Sequence, residues 1–178
     1  MPGDVKITFL SAHNADNVGH GESSLMQHLT AVEELLVDWG NRTALSDAGL
    51  FHSVYGTESF SGSILPLELR ARVREIIGPE AEQLAYIFGA MEKGSFDHCV
   101  FNGPPFCIMD RHTATPVSLD EGQWRDLCEM VVANWMEQHP RVDSKYKLHK
   151  STMFLAIRPL LSVPARRTLD SAYGFKNT

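Results

Sequence analysis

A capped helical register near the N-terminus constrains this chain most. Ser24-Leu25-Met26-Gln27 fits a capping box, in which a Ser side chain caps the helix and a Gln three residues on reaches back. Behind it Leu25, Leu29, Val32, Leu36 and Trp39 recur at helical spacing, and Gly40 ends the run. An apolar stripe of this kind is stable only against other elements that carry matching stripes. The chain supplies them. Thr43 to about Tyr55 predicts a second helix with Leu45, Ala48 and Phe51 or His52 on one face. Pro66 to Ile77 predicts a third with Leu69, Val73 and Ile76 apolar. Gly78-Pro79 breaks and restarts the helix, because Pro suits a first helical position, and Leu84, Ile87, Phe88 and Met91 carry a fourth. Ser118-Leu119-Asp120-Glu121 reads as a second capping box, opening a helix with Trp124, Leu127, Val131 and Trp135 that Pro140 closes. Lys147 to Leu161 predicts a further helix, and a short last one starts at Pro164.

Between Gly94 and Pro116 the texture changes. Cys99-Val100-Phe101, Gly103-Pro104-Pro105 and Phe106-Cys107-Ile108-Met109 read as an extended excursion with turns, of the kind a short β-hairpin makes. The expectation is one mainly helical domain over residues 1–178, with a core at about 12–140, extra C-terminal helices at about 145–175, and a short non-helical or hairpin insertion.

Composition narrows the function classes. The 16 Lys+Arg against 22 Asp+Glu leave a formal net charge of −6, which argues against a basic nucleic-acid-binding surface. No run approaches the ~20 apolar residues of a membrane helix. The opening MPGDVKITFL lacks the apolar core of a signal peptide. Cys99, Cys107 and Cys128 have no metal-site spacing and read as free thiols of a reducing compartment. The expected setting is therefore cytoplasmic, with a small-molecule partner, no nucleic acid and no membrane; a homodimer stays open.

The unusual count is eight His, the side chain that titrates nearest neutral pH. His28 lies in line with Val32, Leu35 and Trp39, on an inward stripe. His52 has Leu45, Ala48 and Tyr55 at helical spacing, so it also faces inward. Two inward His on consecutive helices can meet, and each buried imidazole must find a hydrogen-bond partner. His20, in the Gly19–Gly21 turn, can be aimed at the same pocket, and His13 lies in a polar loop. His98, His112, His139 and His149 have no assigned role. Ser53 beside His52 is a poor nucleophile pair, since adjacent helical residues point ~100° apart.

The order of these segments resembles the HD-domain hydrolases, in particular the hydrolase half of the RelA/SpoT alarmone enzymes. The residues that carry the likeness are Ala12-His13, Gly21-Glu22, the run from His28 to Leu36, then Ala48-Gly49-Leu50-Phe51-His52-Ser53 and, more distantly, Ala133-Asn134-Trp135-Met136. The wording AGLFHSVYGTE also resembles a family of small stand-alone, mostly bacterial proteins of unknown function. The HD resemblance implies a helical bundle with a divalent metal held at the positions of His28, His52, Ser53 and Asn134. Two of those positions are carboxylates in the family and neutral here. Mn²⁺ and Mg²⁺ favour charged oxygen ligands, whereas Zn²⁺ or Fe²⁺ tolerate imidazole and would take His20, Glu22 or Asp110 as a replacement.

Three readings follow. In the first, His20, His28, His52 and Tyr55 perform metal-free general acid–base chemistry on a small polar, anionic metabolite (hydrolysis, elimination or cyclisation), with Glu22, Asp110, Arg111 and Asn134 binding it. In the second, His28 and His52 hold Fe, Mn or Zn in a rearranged phosphohydrolase or oxygenase site. In the third, the pocket senses a nucleotide or metabolite without catalysis. Glu137, one helical turn after Asn134, has two readings: it reaches the pocket or, as the plainer one, it is solvated.

Overall fold

A computed structural model describes residues 4–20 and 23–176, His20 by its backbone only. The architecture is mainly helical, as the periodicity predicts. Helix α1 (Val5–Ala12) is followed by a two-residue antiparallel pairing of β1 (Gly19–His20) with β2 (Ser23–Ser24). Helices α2 (Leu25–Asp38) and α3 (Thr43–Phe51) form an antiparallel pair. Helix α4 (Arg70–Ala90) leads to α5 (Lys93–Asn102), a hairpin of β3 (Phe106–Asp110) and β4 (Thr115–Leu119), and α6 (Glu121–Gln138). Helices α7 (Ser144–Ile157) and α8 (Val163–Tyr173) close the chain.

The capping box before α2 forms as predicted: Ser24 Oγ accepts from the Gln27 amide at 3.2 Å, and Gln27 Oε1 from the Ser24 amide at 2.9 Å. The stripe behind it, Leu25, Leu29, Val32 and Leu36, is fully buried. Gly49 of α3 lets the two helices meet closely, since a Cβ there would lie 2.4 Å from Leu36 Cδ1. The break at Gly78-Pro79 is also present. Gly78 has φ +83° and ψ 159°, a backbone conformation open in practice only to glycine, and it divides α4 into two arms.

Those two arms are tied by a buried carboxylate. Glu82, on the second arm, accepts from Arg70 Nε at 2.5 Å and Arg74 Nε at 2.7 Å, both on the first. Arg70 also covers the face of Tyr86, 3.4 Å from the ring centroid.

One helix is additional to the expectations, and three expectations need correction. Residues 5–12 form a helix that the periodicity did not show, capped by Asp4 and held through Lys6 to Glu33 and Asp47 at 2.9 and 2.7 Å. The second predicted helix stops at Phe51 rather than Tyr55. Residues 93–102, read as part of an extended excursion, are helical; only residues 106–119 form the hairpin. The second capping box is shifted by two residues, with Asp120 and Gln123 as its partners, because Ser118 is still paired to Cys107 in the hairpin. Among the described residues no helix is long and apolar enough to cross a membrane, and the three cysteines are free.

Candidate functional site

The antiparallel pairing of α2 and α3 sets the first turn of one against the last turn of the other. His28 lies in that first turn and His52 caps that last turn. Their side chains therefore meet, with the two Nε2 atoms 3.1 Å apart and the rings edge to face at 5.0 Å. Both residues are buried, at 0% and 1% exposure, so this contact is out of bulk water. On the far side of each ring Nδ1 is committed. Glu137 Oε2 accepts from His28 Nδ1 at 2.6 Å, and the Gly49 carbonyl accepts from His52 Nδ1 at 2.6 Å. With hydrogens on both Nδ1 atoms, two lone pairs would face each other across 3.1 Å. The contact therefore requires a further proton, or a cation, between the rings.

Helix α6 supplies the remaining groups. Asn134 Oδ1 lies 3.1 Å from His52 Nε2 and accepts from Gln138 Nε2 at 3.2 Å. Glu137, on the same face, is half-enclosed between His28 and Arg141, whose NH2 donates to its Oε1 at 2.5 Å. Burial works to raise the Glu137 carboxyl, but the bonds from His28 and Arg141 outweigh it and hold the group below the usual carboxylate range.

Beside the histidine pair opens a cleft of about 610 Å³, within the size range of small-molecule sites. Asn134 and Ser53 belong to its wall, so the carboxamide that touches His52 also faces the cleft. Phe88, edge-on to His52 with ring centroids 4.9 Å apart, is a second shared wall. The remainder is drawn from Gly19, the segment after α3, Met91, α5, α6 with the turn after it, and α7, and it mixes apolar with polar and charged side chains in similar numbers.

Sequence reasoning placed the site residues unevenly. His28, His52 and Asn134 are brought together. Tyr55 is not on their hydrogen-bond chain: its hydroxyl donates to Glu82 Oε1 at 3.3 Å, and burial together with the Glu82 charge pushes its ionisation upward, away from acid–base use near neutral pH. The expectation that Tyr55 follows His52 along one helix face fails because the helix has ended at Phe51. Asp110 accepts from Tyr86 Oη at 2.6 Å and from the amides of His112 and Thr113, a closed turn that outweighs its burial and lowers its carboxyl. Arg111 donates to the carbonyls of Gly89 and Tyr55. Neither is among the described residues that line the cleft. Glu22 and the side chain of His20 lie outside the described residues. His13 bonds the Phe9 carbonyl at 2.8 Å.

Glu137, which the sequence left between the pocket and a solvated place, bonds His28 and Arg141. Its spacing from Asn134 put it on the correct face, but its partner His28 is 109 positions away, beyond the reach of any periodicity.

Residues 9–93 match the family model of a domain of unknown function, DUF6817. No curated protein and no solved structure matches the chain. The matched segment contains both His28 and His52, whereas Asn134, Glu137 and most of the cleft wall come from residues after it.

Proposed function

We propose that this chain is a small-molecule enzyme in which His28 and His52 act as a proton-sharing acid–base pair beside the cleft, catalysing a hydrolysis, elimination or cyclisation. The observation that carries the reading is the 3.1 Å Nε2–Nε2 contact with Glu137 behind one ring and a carbonyl behind the other. One proton is shared at the Nε2 atoms of the pair, where Asn134 Oδ1 can also accept it from His52, and the Glu137 carboxylate lies behind His28. Asn134 stands between His52 and the cleft. A substrate that displaces this carboxamide meets Nε2 of His52, which gives the shared proton to the departing group. The pair, now without that proton, takes one back from the attacking or remaining hydrogen-bearing atom, so the proton count of the enzyme is unchanged over a cycle. The likeness of residues 12–140 to HD-domain hydrolases supports a hydrolytic ancestry, with the Tyr55 role in the original expectation removed.

A second reading rests on the same spacing. His28 Nε2, His52 Nε2 and Asn134 Oδ1 are linked by contacts of 3.1 Å, compatible with neighbouring ligands of one Zn²⁺ or Fe²⁺ ion, and both Nδ1 atoms are oriented as ligating histidines usually are. The all-neutral donor set fits such an ion better than Mn²⁺ or Mg²⁺. Bound there, the ion would supply a water of lowered pKa.

The test has two arms. Metal analysis of protein purified without chelator is expected to show no stoichiometric transition metal; one equivalent of Zn or Fe replaces the first reading by the second. His28→Gln and His52→Gln, assayed against a panel of hydrolysable organic anions, are expected to lose about 10²–10⁴-fold in kcat/KM while folding normally. Folded variants with unchanged turnover sink catalysis at this pair and favour a sensing role.

A further inference from the structure

We infer that the cleft is built for an organic monoanion with a planar, apolar body, an aromatic carboxylate in its simplest form, rather than for a nucleotide. The inference rests on the proposed function for the location of the site, but its argument is the chemistry of the wall.

Part of the wall is apolar: Phe88, Phe96, Met91, Trp135, Met153 and Phe154 line the cavity, beside neutral polar groups such as Asn134 and Gln138. Trp135 has its indole N–H committed to Tyr173 Oη at 2.8 Å, so it offers the ligand a ring face and edge rather than a donor. The wall's aromatic members gain by covering apolar area and stacking with a flat ring.

The charged residues of the wall are three cations, Lys93, Arg141 and Lys150, and two carboxylates, Glu58 and Asp97. Their balance is +3 − 2 = +1. Glu58 accepts from the Lys93 amide at the start of α5, and the Lys93 ammonium is bonded to Ser59 rather than to a carboxylate. Lys150 makes no ion pair among the described residues. Two ammonium groups are thus available to one carboxylate. A triphosphate would bring several negative charges against the same two acidic side chains and only three cations, so like-charge repulsion selects against it. Arg141 adds a link to the histidines, because its other partner is Glu137, the carboxylate behind His28. An anion seated at Arg141 is therefore held one residue from the group that governs the proton-sharing pair.

The probes are 2-naphthoate, its neutral counterpart 2-naphthylmethanol, and ATP, each titrated calorimetrically into the full-length protein. The expected result is one-site binding of 2-naphthoate, weaker binding of the alcohol, and none of ATP at the same concentrations. Lys93→Gln/Lys150→Gln, which alters only side chains of the cleft rim, is expected to weaken 2-naphthoate about tenfold and to leave the alcohol within about twofold. Equal loss for both ligands, no saturable 2-naphthoate binding, or ATP binding as tight as 2-naphthoate overturns the inference. His52→Gln separates the two readings. Retained charge-dependent 2-naphthoate binding in that variant upholds the ligand class whether or not catalysis at the pair survives its own test.

Discussion

Two carboxylates, one buried and one half-buried, sit at opposite ends of what such a group can do. Glu82 is fully enclosed and meets two guanidinium groups and the Tyr55 hydroxyl. Glu137 meets an imidazole and one guanidinium at the edge of a cleft. Guanidinium stays charged at every pH a protein survives, so the Glu82 cluster has one state and acts as a clamp across the bend in α4. Imidazole, unlike guanidinium, can give up or take a proton, and the proposed acid–base role draws on that difference in the Glu137 cluster. The two carboxylates thus differ in partner chemistry as well as in burial.

The contrast breaks most easily at Glu82. Glu82→Ala leaves two guanidinium groups and a buried hydroxyl without their acceptor, and urea unfolding is expected to show a loss of about 3 kcal/mol. A loss below about 1 kcal/mol would mean that the arms of α4 hold together without the clamp. Gly78→Ala attacks the same clamp through the backbone. The site has open space for a methyl group, but its φ of +83° does not suit an L side chain, so about 2 kcal/mol of destabilisation is expected in the same assay.

At the other carboxylate the effect is smaller and carries a pH signature. Glu137 has a lowered native pKa, so as pH falls the unfolded chain binds the proton first and stability is lost towards the native value. The contribution is full above the ordinary carboxylate range and disappears below it. Glu137→Gln is expected to cost about 1 kcal/mol at neutral pH and to flatten the acid limb of a stability–pH curve. An unchanged limb would return Glu137 to the solvated role its sequence position suggested. Tyr55→Phe is the mildest change. Removing one long hydrogen bond to Glu82 should cost about 0.5 kcal/mol and leave turnover intact, whereas a large loss of kcat would put Tyr55 back among the catalytic groups.

Legibility in the sequence followed the range of the forces involved. Helix α2 was readable because its cap, stripe and terminating Gly40 are all local, and the inward direction of His28 followed from them. Helix α5 was not, since Gly94, Cys99, Val100 and Phe101 have weak helical preference and are held helical by packing against β3. The shift of the second capping box arose because Ser118 and Asp120 are both good caps, and hairpin pairing decided between them. Within the site, the meeting of His28 and His52 was readable from two consecutive helices. The direction of Tyr55 was not, because it depends on where a helix stops, and neither was the Glu137 bond, which depends on how α6 is laid across α2.

Helix α6 carries a further burden. Glu129, two turns before Glu137, accepts from the backbone and hydroxyl of Ser162 at the start of α8 and from Asn41. The cap of the last helix, the wall of the cleft at Asn134 and the partner of His28 are thus strung along one rod. Insertion of a single residue between Glu129 and Asn134 would turn everything beyond it by ~100°. Such a change would cost the cleft wall and the histidine partner while sparing the α8 cap. The exposed face of this helix can drift in composition, but its length between those two residues cannot.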